Sequence, residues 1–190
     1  MFKCIKFKIL VFLIISVSVM SYSQETETMN FRDRIYFGGD FSLQFGSLTF
    51  IELSPIIGYY ITPRLSSGIG IIYQYYREKV FLPDTVFKAH NYGGRVFAKY
   101  LLIDNISKYV PIQMNAGLTG YCESEFLNMD GSFSRYLDPG RFWLNNFYLG
   151  GGMVFAIGRR SKMNVLVLWN LNDTGESPYS NPVVRIGITF

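Results

Sequence analysis

Residues 181 to 190 read NPVVRIGITF. Phe190, Ile188, Ile186, Val184 and Pro182 fall on one side of this stretch. Thr189, Gly187, Arg185, Val183 and Asn181 fall on the other. A period of two belongs to an extended strand and to no helix. The same alternation recurs through most of the chain, and this constrains the fold more than any other feature. Each strand is then apolar on one face only, which is how the strands of a membrane barrel are built.

Eight such segments are predicted, at about residues 34–45, 48–61, 65–79, 89–102, 109–122, 141–157, 162–172 and 181–190. The first sets Ile35, Phe37, Phe41 and Leu43 against Tyr36, Asp40, Ser42 and Gln44. Later segments set Leu53 and Ile57 against Glu52 and Ser54, and Val96 and Tyr100 against Arg95 and Lys99. The fifth ends at Cys122, and residues 123–140, rich in Asn, Asp, Ser, Gly and Pro, read as the longest loop. Gly46-Ser47 carries a hairpin signal, and Pro63 and Asp104-Asn105 mark turns.

The start of the chain has a different character. Lys3, Lys6 and Lys8 precede an apolar run from Ile9 to Val19, and Ser21 and Ser23 follow at signal-peptidase spacing. The run is shorter than the roughly 20 apolar residues of a spanning helix. Residues 1–23 are therefore expected to be a cleaved signal peptide, with 24–33 a polar lead and 34–190 the folded domain. Loss of the signal removes three lysines and no acid, taking the net charge from +4 to +1. Nothing in that balance points to nucleic acid. It leaves Cys122 without a disulfide partner and His90 as the one histidine. A His/Cys metal site is not expected from that inventory, and no cofactor is expected either.

The aromatic fraction is 17%, and there are 18 glycines. Phe37, Tyr59, Tyr100, Phe155 and Phe190 fall near one end of their strands, and Phe45, Tyr73, Tyr75, Tyr92, Phe147 and Trp169 near the other. Two aromatic girdles are how membrane barrels mark their interfaces. The connections after strands 2, 4 and 6 are expected to be short and those after 3, 5 and 7 longer, with Gly46-Ser47 as a short exception.

With these features the chain resembles small outer-membrane β-barrels of Gram-negative cells, such as the OmpA-type membrane domain and OmpX-like proteins. The resemblance covers the whole mature chain and rests on the signal segment, eight alternating strands, loop asymmetry and the terminal Phe190. It is architectural, with no matching catalytic motif. No peptidoglycan-binding domain is expected after Phe190, and cell-wall anchoring is not implied. The resemblance implies an all-β, eight-stranded antiparallel up-and-down transmembrane barrel in the cell outer membrane, expected to be monomeric. Its implied partners are outer-membrane lipids, lipopolysaccharide and the barrel-assembly machinery, which reads the terminal phenylalanine. The competing fold is a soluble lipocalin-like barrel with apolar residues inside.

A closed eight-stranded barrel is just wide enough for side chains to fill. Asp40, Glu52, Arg95, Lys99 and Arg185 are expected to form a lumen charge network, with Asp40 paired to Arg185 across the closing seam. The expected role is structural or surface-interacting and not enzymatic. A narrow solute or ion channel and a lipid A-modifying enzyme are the alternatives. The enzyme would use His90 with Glu78, Glu123 or Ser124, but His90 lacks the His-x-Ser pattern of deacylase barrels. Phe126, Phe133 and Tyr136 are candidate contacts in the 123–140 loop, and Arg135 and Arg141 candidate contacts for lipopolysaccharide phosphates.

Overall fold

Each of the described strands pairs antiparallel with its neighbours in the chain, and the last closes onto the first. The computed structural model describes residues 30–44, 48–81, 84–111, 115–131, 140–158, 160–173 and 181–190, apart from the side chains of 43, 44, 48, 78–81 and 84–87. The expected signal segment, the Gly46-Ser47 hairpin, Phe45, Phe133, Arg135 and Tyr136 lie outside the described residues. The strands are β1 Ile35–Gln44, β2 Leu48–Tyr60, β3 Leu65–Phe81 and β4 Asp84–Ile103, followed by β5 Ala116–Asp130, β6 Arg141–Ala156, β7 Lys162–Asn170 and β8 Val183–Thr189. A short 3₁₀ turn, Phe31–Arg34, ends the polar lead. Among the described residues no helix is long and apolar enough to cross a membrane.

The seam between β1 and β8 pairs Gly38 with Thr189, Gly39 with Ile188 and Asp40 with Gly187. Beyond that ladder Phe37 and Phe190 exchange backbone hydrogen bonds of 3.0 and 2.9 Å. Phe190 thus extends the closure beyond the ladder. The end holding Phe190 is called lower below, and the end holding the β3–β4 hairpin tip upper.

The expected eight-stranded, all-β, up-and-down barrel is the observed fold, with the alternation in the expected phase. Boundaries differ in two regions, at the upper ends of β3 and β4, where strand replaces the expected loop, and in the fifth strand. The fifth strand runs from Ala116 to Asp130 and not over 109–122. The described residues 104–111 and 115 lie in the connection instead, including a 3₁₀ turn at Ile106–Lys108 capped by the Asn105 side chain, which accepts from Ser107 N at 2.9 Å. The expected loop asymmetry is corrected with it. The connection after β4 is long, and that after β3 is only 82–83, because β3 and β4 continue to Phe81 and Asp84.

Side chains divide by face. Phe37, Phe41, Leu53, Ile57, Ile69 and Val96 stand exposed on the outer wall. Glu52, Gln74, Arg95, Glu123, Glu125 and Arg185 are buried inside. Glycine makes that interior possible. Gly58 faces Tyr36 in register, and a Cβ there would collide with the Tyr36 ring. Gly70 faces Arg95 in register, and its Cβ would lie 3.0 Å from Arg95 Nε. Large inward side chains on one strand cross over glycines on the next.

The lumen is layered. Tyr36, Phe97, Tyr121, Tyr148, Leu166, Leu168 and Val183 form a mainly lower apolar cluster, which on β8 reaches past Arg185 to Val183. Ile72, Leu127, Met129 and Leu144 form an upper one. Along β5 the inward residues read Tyr121, Glu123, Glu125, Leu127, so a charged layer lies between the two clusters.

Candidate functional site: the charged layer of the lumen

Period-two strands place every second residue inside, and four strands contribute ionisable groups to one layer. Arg95 of β4 donates through Nη2 to Asp40 Oδ2 of β1 at 2.6 Å, and through Nη1 to Glu123 Oε2 of β5 at 3.4 Å. Arg185 of β8 donates through Nη1 to Glu123 Oε1, and through Nη2 to Glu125 Oε2 at 3.0 Å. The continuous order is Asp40, Arg95, Glu123, Arg185, Glu125, and it spans the lumen from wall to wall.

Removal of two charges from water is compensated only with good geometry and further hydrogen bonds. The layer supplies them. Tyr121 Oη donates to Glu123 Oε2 at 2.6 Å, and Arg95 Nη2 also donates to the Ser54 carbonyl at 3.2 Å. The Arg185 guanidinium lies 5.0 Å from the centre of the Tyr148 ring, within cation–π range. Asn146 donates to Glu125 Oε1 at 2.9 Å and accepts from Asn170 Nδ2 at 2.9 Å, extending the layer to β6 and β7. A second chain runs along β2, β3 and β4. Gln74 donates to Glu52 Oε2 at 3.2 Å, Asn91 donates to Gln74 Oε1 at 3.3 Å, and Asn91 Oδ1 accepts from Asp130 N at 3.0 Å.

All five residues expected in the lumen network lie on the inner face, but their pairing differs from expectation. Asp40 does not pair with Arg185. The seam register sets Asp40 against Gly187, and its carboxylate occupies the space a Cβ at Gly187 would need. Arg185 stands opposite Leu166 and reaches the β5 carboxylates. Lys99 lies lower, donating to Asn164 Oδ1 at 3.4 Å with its ammonium 5.3 Å from the centre of the Tyr36 ring.

Glu123 and Glu125 were read from the sequence as loop residues and are central to the layer. The signal that identifies them is continuity of phase, since Thr119, Tyr121, Glu123, Glu125 and Leu127 keep the inward period beyond Cys122. Phe126 is correspondingly not a loop residue. It is a half-exposed position on the outer wall of β5, paired with Gly94 and Asn145.

His90 stands exposed on the outer face of β4 near the upper end. Its Nδ1 lies 2.8 Å from Tyr73 Oη, and its ring centre 5.1 Å from that of Tyr75. Glu123, one expected partner, turns into the lumen, and Ser124 lies well below, opposite Val96 and Phe147. The side chain of Glu78 lies outside the described residues. Arg141 Nη2 donates to the His90 carbonyl at 3.0 Å, with the guanidinium 4.4 Å from the centre of the Tyr92 ring.

No protein-family model and no curated protein matches the chain.

Proposed function

We propose that this chain is an integral outer-membrane β-barrel, monomeric, with a structural or surface-interaction role and a lumen plugged by its own side chains. The observation that carries this reading is the inverted distribution of polarity. Phe37, Leu53, Ile69, Ile71, Val96 and Leu102 face outward and exposed, while the charged Glu52, Arg95, Glu123, Glu125 and Arg185 are buried in the interior. In water, an apolar belt around a barrel far exceeds the patch of a few hundred Å² that a soluble monomer exposes. In a bilayer the same belt is matched to its solvent, and strands that are apolar outside and polar inside are the expected pattern. A soluble ligand-binding barrel needs the reverse arrangement.

The girdles add support. Phe37, Tyr100 and Phe190 ring the lower end and Tyr73, Tyr92, Phe147 and Trp169 the upper, all exposed. The basic and apolar start of the chain supports export. The plug is supported by the ion pairs across the lumen, which a water-filled path would have to break. A non-catalytic role is supported by the surroundings of the His90 ring, which lies against Tyr73 and Tyr75.

The test is fractionation followed by a denaturing gel with and without boiling. The expected result is recovery in the outer-membrane fraction with a boiling-dependent shift in mobility. Recovery as a soluble periplasmic protein with no shift would overturn the reading. His90→Ala is expected to leave lipid A composition unchanged by mass spectrometry, and planar bilayers containing the barrel are expected to carry no steady current.

A further inference from the structure

The lower mouth of the lumen holds two lysines that the charged layer does not use. Lys99 of β4 crosses the barrel to β7, where its Nζ donates to Asn164 Oδ1 at 3.4 Å. Lys162 lies on the same face of β7 as Asn164, at the next inward position toward the lower end. It reaches across to β2, with its ammonium 5.7 Å from the centre of the Tyr60 ring. The Lys99 ammonium lies 5.3 Å from the centre of the Tyr36 ring, and the centres of these two rings are 4.9 Å apart. Side chains from opposite walls therefore bring both ammonium groups onto one pair of adjoining rings.

Among the described residues neither lysine forms an ion pair, in contrast to Arg95 and Arg185 above them. The carboxylate that acts on Lys99 is Asp40, which is already paired to Arg95 at 2.6 Å, while Lys162 opposes Lys99 with a like charge. Two cations drawn together without an anion are unfavourable, and more so where water is partly excluded. An ammonium has three donors, of which Lys99 directs one to Asn164. Lys162 is exposed and stands between Ala156 and Thr189 in register, both small, so the mouth is open at its level. Above it Tyr36 and Phe97 of the lower apolar cluster close the lumen.

We propose that the lower mouth binds a small free oxyanion of the inorganic phosphate class, held between the Lys99 and Lys162 ammonium groups beside Asn164 and Thr189. Two ammonium charges match a dianion, and charge-assisted hydrogen bonds to its oxygens are the strong kind. Position selects the ligand. The barrel wall separates these lysines from anything outside it, so the anion is a solute and not a headgroup. The apolar cluster above stops it beneath the plug, so the site is a dead end and carries no current. The inference goes beyond the proposed role and holds whatever surrounds the wall.

The experiment titrates the folded barrel, in uncharged detergent, with inorganic phosphate. Calorimetry reads binding, and urea unfolding reads its effect on stability. Sodium chloride at matched ionic strength separates binding from mere screening of the two like charges. The wild-type barrel is expected to bind phosphate saturably, with an unfolding midpoint that rises with phosphate as linkage requires and not with chloride. Lys162→Gln changes an exposed side chain. It is expected to leave the midpoint without phosphate unchanged and to weaken phosphate binding about tenfold, the low end for a hydrogen bond to a charged group. Lys99→Gln is expected to weaken binding at least as much. Arg64→Gln removes a cation from the exposed β2–β3 turn at the same end, and is expected to bind phosphate as the wild type does.

Absence of saturable binding, an equal rise of the midpoint in chloride, undiminished binding by Lys162→Gln, or an equal loss with Arg64→Gln would each overturn the proposal. A heat-shifted outer-membrane barrel that ignores phosphate refutes this inference alone. A soluble barrel that binds phosphate through Lys99 and Lys162 refutes the membrane reading and upholds this one.

Discussion

Arg95 and Phe97 are consecutive inward positions on β4, and both are buried to within a few per cent of completely. Arg95 joins the charged layer, with Asp40 at 2.6 Å and Glu123 at 3.4 Å. Phe97 joins the lower apolar cluster, stacked on Tyr121 with ring centres 5.7 Å apart. The strand, its pleat and the degree of burial are shared, but the bonding is of a different kind. Apolar packing is non-directional and tolerates a change of shape if volume is kept. A buried ion pair is demanding, because each charge relies on its partner to offset lost hydration. The two positions therefore separate what fills the lumen from what dictates its arrangement.

The largest effect is expected at Arg95. Arg95→Ala leaves Asp40 without its ion-pair partner and Glu123 with one arginine instead of two, and is expected to cost about 3–5 kcal/mol. Urea unfolding of the barrel in lipid vesicles, followed by the boiling-sensitive gel shift, measures it. Neutralising the group together (Arg95→Met with Asp40→Asn and Glu123→Gln) is expected to recover most of that loss, because no charge is then stranded. If the triple variant is no better than Arg95→Ala, shape and not charge governs this layer. An intermediate effect is expected where the layers join. Tyr121→Phe keeps the ring stacked on Phe97 but removes the 2.6 Å hydrogen bond to Glu123. Hydrogen bonds to charged groups contribute about 1.5–3 kcal/mol. A loss near zero would mean that the two arginines alone satisfy Glu123.

The same contrast explains what was legible in the sequence. The outer wall is apolar wherever it meets the belt, so period-two alternation located all eight strands and assigned Asp40, Glu52, Arg95, Lys99 and Arg185 to the inner face. Alternation became unreadable where both faces turn polar. In β5 the inward Glu123 and Glu125 flank the outward Ser124, and Asn128 and Asp130 follow. That composition reads as a loop, although β6 supplies a full ladder opposite it from Arg141 upward in sequence. Just before β5 the reverse occurred. Tyr109 and Val110 look like strand residues and are exposed in the connection. Ion-pair partners were less legible than faces. Distance along the strand suggested Asp40 with Arg185, but in a narrow lumen a long arginine reaches the far wall, and the layer is assembled across the barrel and not along its seam.

Smaller effects sharpen the comparison from the apolar side. Phe97→Leu keeps an apolar group of similar volume above Gly68, its partner in register. It is expected to cost about 1 kcal/mol, within the range of volume-conserving swaps in packed cores. The same vesicle unfolding assay places it beside Arg95→Ala. Equal losses at the two positions would remove the distinction between the layers.

The smallest effect is expected at the ion pair most unlike the lumen layer. Lys108 Nζ donates to Asp104 Oδ2 at 2.7 Å in the connection between β4 and β5, where both side chains are more than half exposed. The hydrogen bond from Lys108 holds the Asp104 carboxyl below its ordinary range. A depressed carboxyl stabilises the fold above its unfolded-state pKa and loses that contribution as pH falls through the folded value. Solvent and salt screen an exposed pair, however, and its two side chains must be ordered to form it. Asp104→Asn is therefore expected to leave the unfolding midpoint unchanged at neutral pH and at pH 4, with or without added salt. Its distance is close to that of Arg95 to Asp40, so any difference in outcome measures burial and not geometry. A substantial loss on Asp104→Asn would show that short ion pairs stabilise this barrel wherever they lie, and the lumen layer would lose its special standing.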